Sequence, residues 1–182
     1  MRHLLLFALL VFVTPSSAQQ DSNTKIWSEN NKLTWEDYWA EPEGTLVNAQ
    51  TRFKIDIYPE IVQVDANDYI QNLDELTVKA VFYKELSWSV DKNSIPLLYH
   101  ENLRFDIAEI YARKIRRRFT QLKAQKEQRF EMYQREYSKL WKECLEFQKE
   151  FERDSQYGRN NLKDQEWNEK IQNELLVLKA YE

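Results

Sequence analysis

Pro96-Leu97-Leu98-Tyr99-His100-Glu101-Asn102-Leu103-Arg104-Phe105-Asp106-Ile107-Ala108-Glu109-Ile110-Tyr111-Ala112-Arg113 is where the hydrophobic period of this chain changes from two to about 3.6. The stretch reads as the start of a helix, with His100 and Glu101 on its first turns. At about 100° per residue, Arg104, Ile107 and Tyr111 share the face of His100. Glu101 sits one step round. A histidine at position 104 would complete H-E-x-x-H, in which two imidazoles one turn apart hold zinc and the glutamate acts as general base. Arg104 stands there instead. A guanidinium stays protonated and has no lone pair to donate to a metal. Glu101 and Arg104 are three apart, near enough to pair on a helix. Two accounts stay open: a guanidinium standing in for a cation among carboxylates, or an exposed helix charge.

Helical periodicity continues downstream. Ile107, Ile110, Ile115, Phe119 and Leu122 trace one stripe; Phe130, Tyr133, Tyr137, Trp141, Cys144, Phe147 and Phe151 trace another. No Gly or Pro lies between Pro96 and Gly158. One unbroken helix there would be about 90 Å long. A helix–helix turn is therefore expected near residues 123–128, with one long protruding helix as the other reading. Residues 154–163 read as a loop. A last helix is expected from about Asp164 to Tyr181, with Trp167, Ile171, Leu175 and Leu178 as its apolar face.

Upstream the period is two. Phe53, Ile55 and Ile57 alternate within residues 51–58, and Pro59 ends that strand or limits it to an edge. Residues 61–64 continue the pairing after a bend, and residues 65–68 form a turn. Val78, Ala80 and Phe82 alternate within residues 76–83, and Trp88 and Val90 share a face within residues 86–90. Thr34 is a candidate N-cap with Asp37 three residues on, which tucks Trp35 and Tyr38 onto the core. Residues 41–44 form a turn. Strands followed by helices imply an α+β fold, a small antiparallel sheet packed on a helical part.

Residues 1–18 read as a signal peptide: Arg2 and His3, an apolar run from Leu4 to Val13, and small residues up to Ala18. The run is too short for a stable membrane span. Residues 19–32 read as a flexible linker and 33–182 as a single domain. The expected location is the periplasm or the cell exterior, with no transmembrane segment in the mature chain. The formal net charge of −4 argues against a general nucleic-acid partner. The basic run at residues 113–118 is interrupted at helical spacing by Ile115, so it reads as a solvated face that downstream glutamates pair. An anionic cell-envelope partner is the other reading. The single cysteine, Cys144, permits no intrachain disulfide and reads as a buried small hydrophobe. Once His3 leaves with the signal, His100 is the only histidine. Histidine and cysteine alone then cannot build a three-ligand zinc site, and carboxylates would have to complete one.

Several stretches together carry a family resemblance. They are Leu33-Thr34-Trp35-Glu36-Asp37-Tyr38; residues 78–90, which contain Ser87-Trp88; Leu97-Leu98-Tyr99-His100-Glu101 with Phe105-Asp106-Ile107-Ala108-Glu109; Arg113; Phe151 to Gly158; and Gln165 with Trp167. Over most of the mature chain these resemble a bacterial family of predicted secreted zinc-dependent proteases, also catalogued as a domain of unknown function. The resemblance implies a zincin-like fold in which His100 would be a metal ligand and Glu101 the catalytic base. It also implies histidines where this chain has Arg104 and Tyr157, and an Asp and a Thr where it has Glu152 and Ser155.

The expectation is therefore a degenerate site of His100, Glu101, Arg104 and Tyr157, joined in a hydrogen-bonded cluster without metal or catalysis. The chain would act as a binding or structural module toward a protein or cell-envelope partner. The alternative is an active zinc metallopeptidase using His100 with carboxylate ligands. A third reading has Tyr133, Tyr137, Trp141 and Phe147 facing a partner.

Overall fold

The computed structural model describes residues 23–42 and 47–182. The expected signal peptide and the Gly44 end of the turn at 41–44 lie outside them. Five short strands precede three helices: β1 (Thr24–Ile26), β2 (Ala49–Gln50), β3 (Phe53–Tyr58), β4 (Thr77–Tyr83), β5 (Trp88–Ser89), α1 (Ile95–Ala124), α2 (Phe130–Asp154) and α3 (Asn161–Val177). The fold is α+β. β1, β4 and β3 form an antiparallel sheet in that order, while β2 and β5 form a separate antiparallel pair.

β4 is central because it can bury both faces. Val78, Ala80 and Phe82 are buried, and so is Val81 on the opposite face. Its register with β3 places Ile55 opposite Ala80 and Phe53 opposite Phe82. α1 packs on β3 and β4 and on both other helices. Ser94 caps it, its hydroxyl accepting from the Leu97 amide at 3.3 Å. Rings interlock across the layers: Phe82 with Phe105, Phe119 with Tyr133, and Phe147 with Trp167.

α1 ends at Ala124, and the chain reverses through Gln125–Arg129 with Lys126 at φ 57°. The helix–helix turn therefore falls in the expected region without Gly or Pro. The stripe on α2 points inward. Tyr133 is fully buried, Trp141 meets Phe53, Phe147 meets Tyr111, and the Tyr137 hydroxyl donates to Ile55 O at 2.7 Å. That overturns the partner-facing reading of the stripe, since the chain's own sheet and α1 cover it. Cys144 is buried, and burial pushes its thiol up to about 12. Trp167, Ile171, Leu175 and Leu178 are buried as expected.

Three local expectations need correction. Residues 23–32 are not a flexible linker: β1 pairs with β4, and Trp27 is buried with its indole N–H donating to Asp106 Oδ1 at 2.6 Å. The polar composition of this segment concealed a strand held by one aromatic anchor. Val90 does not share the burial of Trp88 but is 55% exposed, although its amide still donates to Asn48 O at 2.9 Å. Residues 61–64 contribute only an isolated bridge from Val64 to Ile70.

The basic run divides between core and surface. Arg113 is buried, donating to Glu109 and to Leu175 O, and Arg116 reaches Glu109 and Val78 O. Lys114 lies 3.3 Å from Glu174, Arg118 lies 3.1 Å from Glu136, and Arg117 is exposed. No helix among the described residues is long and apolar enough to cross a membrane.

If residues 23–32 are structural, Trp27→Ala should lower the unfolding free energy by about 3 kcal/mol, as large-to-small core substitutions do. Urea denaturation checks this; a loss below about 1 kcal/mol would return the segment to a linker role.

Candidate functional site

The first turns of α1 put His100, Glu101 and Arg104 on the side that faces α2. His100 is 1% exposed and Glu101 3% exposed. A buried imidazole needs partners for both nitrogens. His100 Nδ1 lies 3.0 Å from Asp164 Oδ1 on the first turn of α3, and Nε2 lies 3.4 Å from Glu152 Oε2 on α2. Its ring stacks on Phe151 at 4.7 Å and 20°. Arg104 Nη1 donates to Glu101 Oε2 at 2.9 Å. Its Nε lies 2.6 Å from Glu152 Oε1, a close ion pair whose angle does not make a hydrogen bond. Arg104 thus bridges Glu101 and Glu152, and Glu152 bridges Arg104 and His100.

The electrostatics follow from this geometry. Burial alone would depress the His100 pKa, but hydrogen bonding to Asp164 and Glu152 outweighs it and raises the value to about 9. The imidazole is therefore charged at neutral pH and donates at Nδ1. Burial would raise the Glu152 carboxyl, yet His100 and the Arg104 charge hold it below its ordinary value. The cluster holds two cations and three carboxylates, all within one ion-pair network.

The connection from α2 to α3 closes the site. Gln156, Tyr157 and Gly158 have φ of 53°, 57° and 75°, three consecutive left-handed residues. That conformation is strained for the two that carry a Cβ. Ser155 is buried and anchors the turn: its hydroxyl donates to Phe151 O at 2.7 Å, and its carbonyl accepts from the Asn160 amide at 2.9 Å. The turn brings Gly158 against His100, where an added Cβ would lie 3.0 Å from the imidazole Cγ.

His100, Glu101, Arg104 and Tyr157 line one cleft of about 540 Å³. Residues 47–53 form one wall, and Trp141, Leu145, Gln148, Lys149 and Glu152 on α2 form the other. All four expected site residues therefore border one cleft, and three of them, His100, Glu101 and Arg104, belong to its ion-pair network. Tyr157 differs from the expectation: its side chain is 53% exposed and makes no hydrogen bond to the cluster among the described residues. The strained turn carries the Tyr157 side chain to the rim.

No protein-family model, curated protein or solved structure matches this chain. The resemblance to secreted zinc proteases rests on the sequence motifs alone.

Sequence reasoning did not find Asp164 as the Nδ1 partner of His100, nor Gln148 as a lining residue. A lone buried histidine does demand an acceptor, but which of 30 acidic residues supplies it is a matter of docking. The donor set does not fit the zinc that the resemblance implies. A permanent cation occupies the second imidazole position, and both nitrogens of His100 are engaged by carboxylates. Among the described residues, no group of three or more His, Cys, Asp and Glu side chains is arranged to hold a metal ion.

The raised His100 pKa makes stability pH-dependent. The contribution is full below about 6.5 and is lost as pH rises through about 9. Wild type should lose on the order of 3 kcal/mol over that window relative to His100→Gln, read by urea titrations at a series of pH values. Gly158→Ala should destabilise by more than about 1 kcal/mol, combining left-handed strain with the clash on His100; thermal unfolding reports it.

Proposed function

We propose that this chain is an exported, zincin-like binding or structural module in which an ion-pair cluster stands where a zinc peptidase would hold its metal, and that it is not a peptidase. One observation carries this: the Arg104 guanidinium spans Glu101 and Glu152 while His100 is charged between Glu152 and Asp164. A dication at that point would meet the permanent charge of Arg104 and the protonated imidazole of His100. Glu101, the base in the H-E-x-x-H pattern, is committed to Arg104. The cleft above the cluster remains open to a ligand, which supports binding as the role.

The alternative of an active zinc enzyme draws on one feature. Glu152 and Asp164 reach His100 from other helices, as carboxylate ligands would. They could serve a metal only if His100 lost its proton and Arg104 moved away. Metal analysis separates the two readings. The purified secreted chain should contain far less than one zinc per molecule, and its melting temperature should be unchanged by a chelator. Stoichiometric zinc that disappears in His100→Ala would overturn the proposal. Arg104→Met should destabilise by about 3 kcal/mol or more, because it leaves Glu101 and Glu152 without their shared cation. Denaturant titration measures that loss; a neutral effect would show that the guanidinium does not hold the cluster together.

A further inference from the structure

The cleft over the cluster has chemistry that the cluster does not use. Gln148 is 6% exposed, and its Nε2 donates to Arg104 O at 2.6 Å. That bond sets the orientation of the amide, because the Arg104 carbonyl oxygen can only accept and the NH2 end is the amide's only donor. The other end, Oε1, is buried without a partner in a residue that lines the cleft. A buried acceptor left unpaired is costly, and a ligand N–H would satisfy it.

Charge supplies the second constraint. Arg52 on the strand wall and Lys149 on the α2 wall both line the cleft. Arg52 has no acidic partner among the described residues. Lys149 has only Glu146, at 2.8 Å in a largely exposed pair, and such pairs contribute little. Within the cluster, His100 and Arg104 are matched by Glu101, Glu152 and Asp164. With Glu146 counted beside Lys149, four cations meet four carboxylates, and Arg52 is the cation left without an acidic partner among the described residues, in a chain of net charge −4. The uncommitted charge at the mouth is positive and suits an anion.

Shape supplies the third. The volume of about 540 Å³ is that of a small-molecule site rather than a protein interface. Trp141, Leu145 and Tyr157 give it an apolar side, with Leu145 39% and Tyr157 53% exposed.

We propose that this cleft binds a small organic acid with an apolar body and an amide N–H, the chemistry of an N-acyl amino acid. The amide N–H donates to Gln148 Oε1, the carboxylate lies between Arg52 and Lys149, and the apolar body rests against Trp141 and Leu145. This rests on the metal-free reading of the site, because a ligand carboxylate would otherwise seek the metal.

The test is calorimetric titration of the secreted chain with N-acetyl-L-phenylalanine and with its neutral C-terminal amide, in chelator and again with added zinc. The acid is expected to bind at least about tenfold tighter than the amide, in chelator. The Arg52→Ala/Lys149→Ala double variant, checked for fold by circular dichroism, should abolish that preference. Gln148→Leu should weaken acid and amide alike by several-fold. Equal affinity for acid and amide, no heat from either, or a preference that survives the double variant would overturn the ligand proposal and leave the metal-free reading standing. Binding that appears only with zinc would overturn both.

Discussion

One helix carries charge into the core, and α2, α3, β4 and the N-terminal segment supply the groups that answer it. His100, Glu101, Asp106, Glu109 and Arg113 all lie on α1, and none is more than 3% exposed. An unpaired charge at such depth costs several kcal/mol, so each must find a partner. The partners come from the whole chain: Asp164 on α3 and Glu152 on α2 for His100, Trp27 and Lys32 for Asp106, and Leu175 O for Arg113. Arg104 and Arg116, on the same helix, complete the pairing for Glu101 and Glu109. Hydrophobic burial drives the layers together, but these pairings set the register in which they meet.

The motif positions therefore divide into two kinds of work. Asp106, Glu109 and Arg113 secure the N-terminal segment, β4 and α3 to α1, and take no part in the cleft. His100, Glu101 and Arg104, less than two turns away, form its floor. The proximity lets one helix carry both the packing contacts and the cleft floor. The half with Asp106, Glu109 and Arg113 holds the layers together, and in the other half Arg104 supplies the positive charge that Glu101 and Glu152 require. The strained Gln156–Gly158 turn belongs to the same arrangement, since it sets Gly158 against the His100 ring, whose charge Asp164 and Glu152 sustain against burial.

Much of this was legible in the residues. The change of period at Leu97, the alternation in β3 and β4, and the apolar faces of α2 and α3 all follow from binary patterning, which local burial enforces. The α1–α2 reversal near residue 126 was placed by length alone, because an unbroken helix of about 90 Å exceeds a small domain. The convergence of His100, Glu101 and Arg104 was readable because one helix holds all three. β1 was not readable: three residues in a polar stretch pair only because Trp27 finds a slot beside Asp106 and Arg113.

Sequence by itself determined most of the element types, the face of α1 that carries the site, and the scarcity of imidazole and thiolate ligands, two histidines and one cysteine in all, for these depend on residue counts and on spacings within one element. Only the tertiary structure decided which carboxylates reach His100, that Glu152 is shared between His100 and Arg104, that Tyr157 stays at the rim, and that Gln148, which lines the cleft, keeps a buried acceptor without a partner. Those outcomes depend on how three helices dock over a distance of a few ångströms, and hydrogen bonds and ion pairs are far more sensitive to such distances than hydrophobic patterning is.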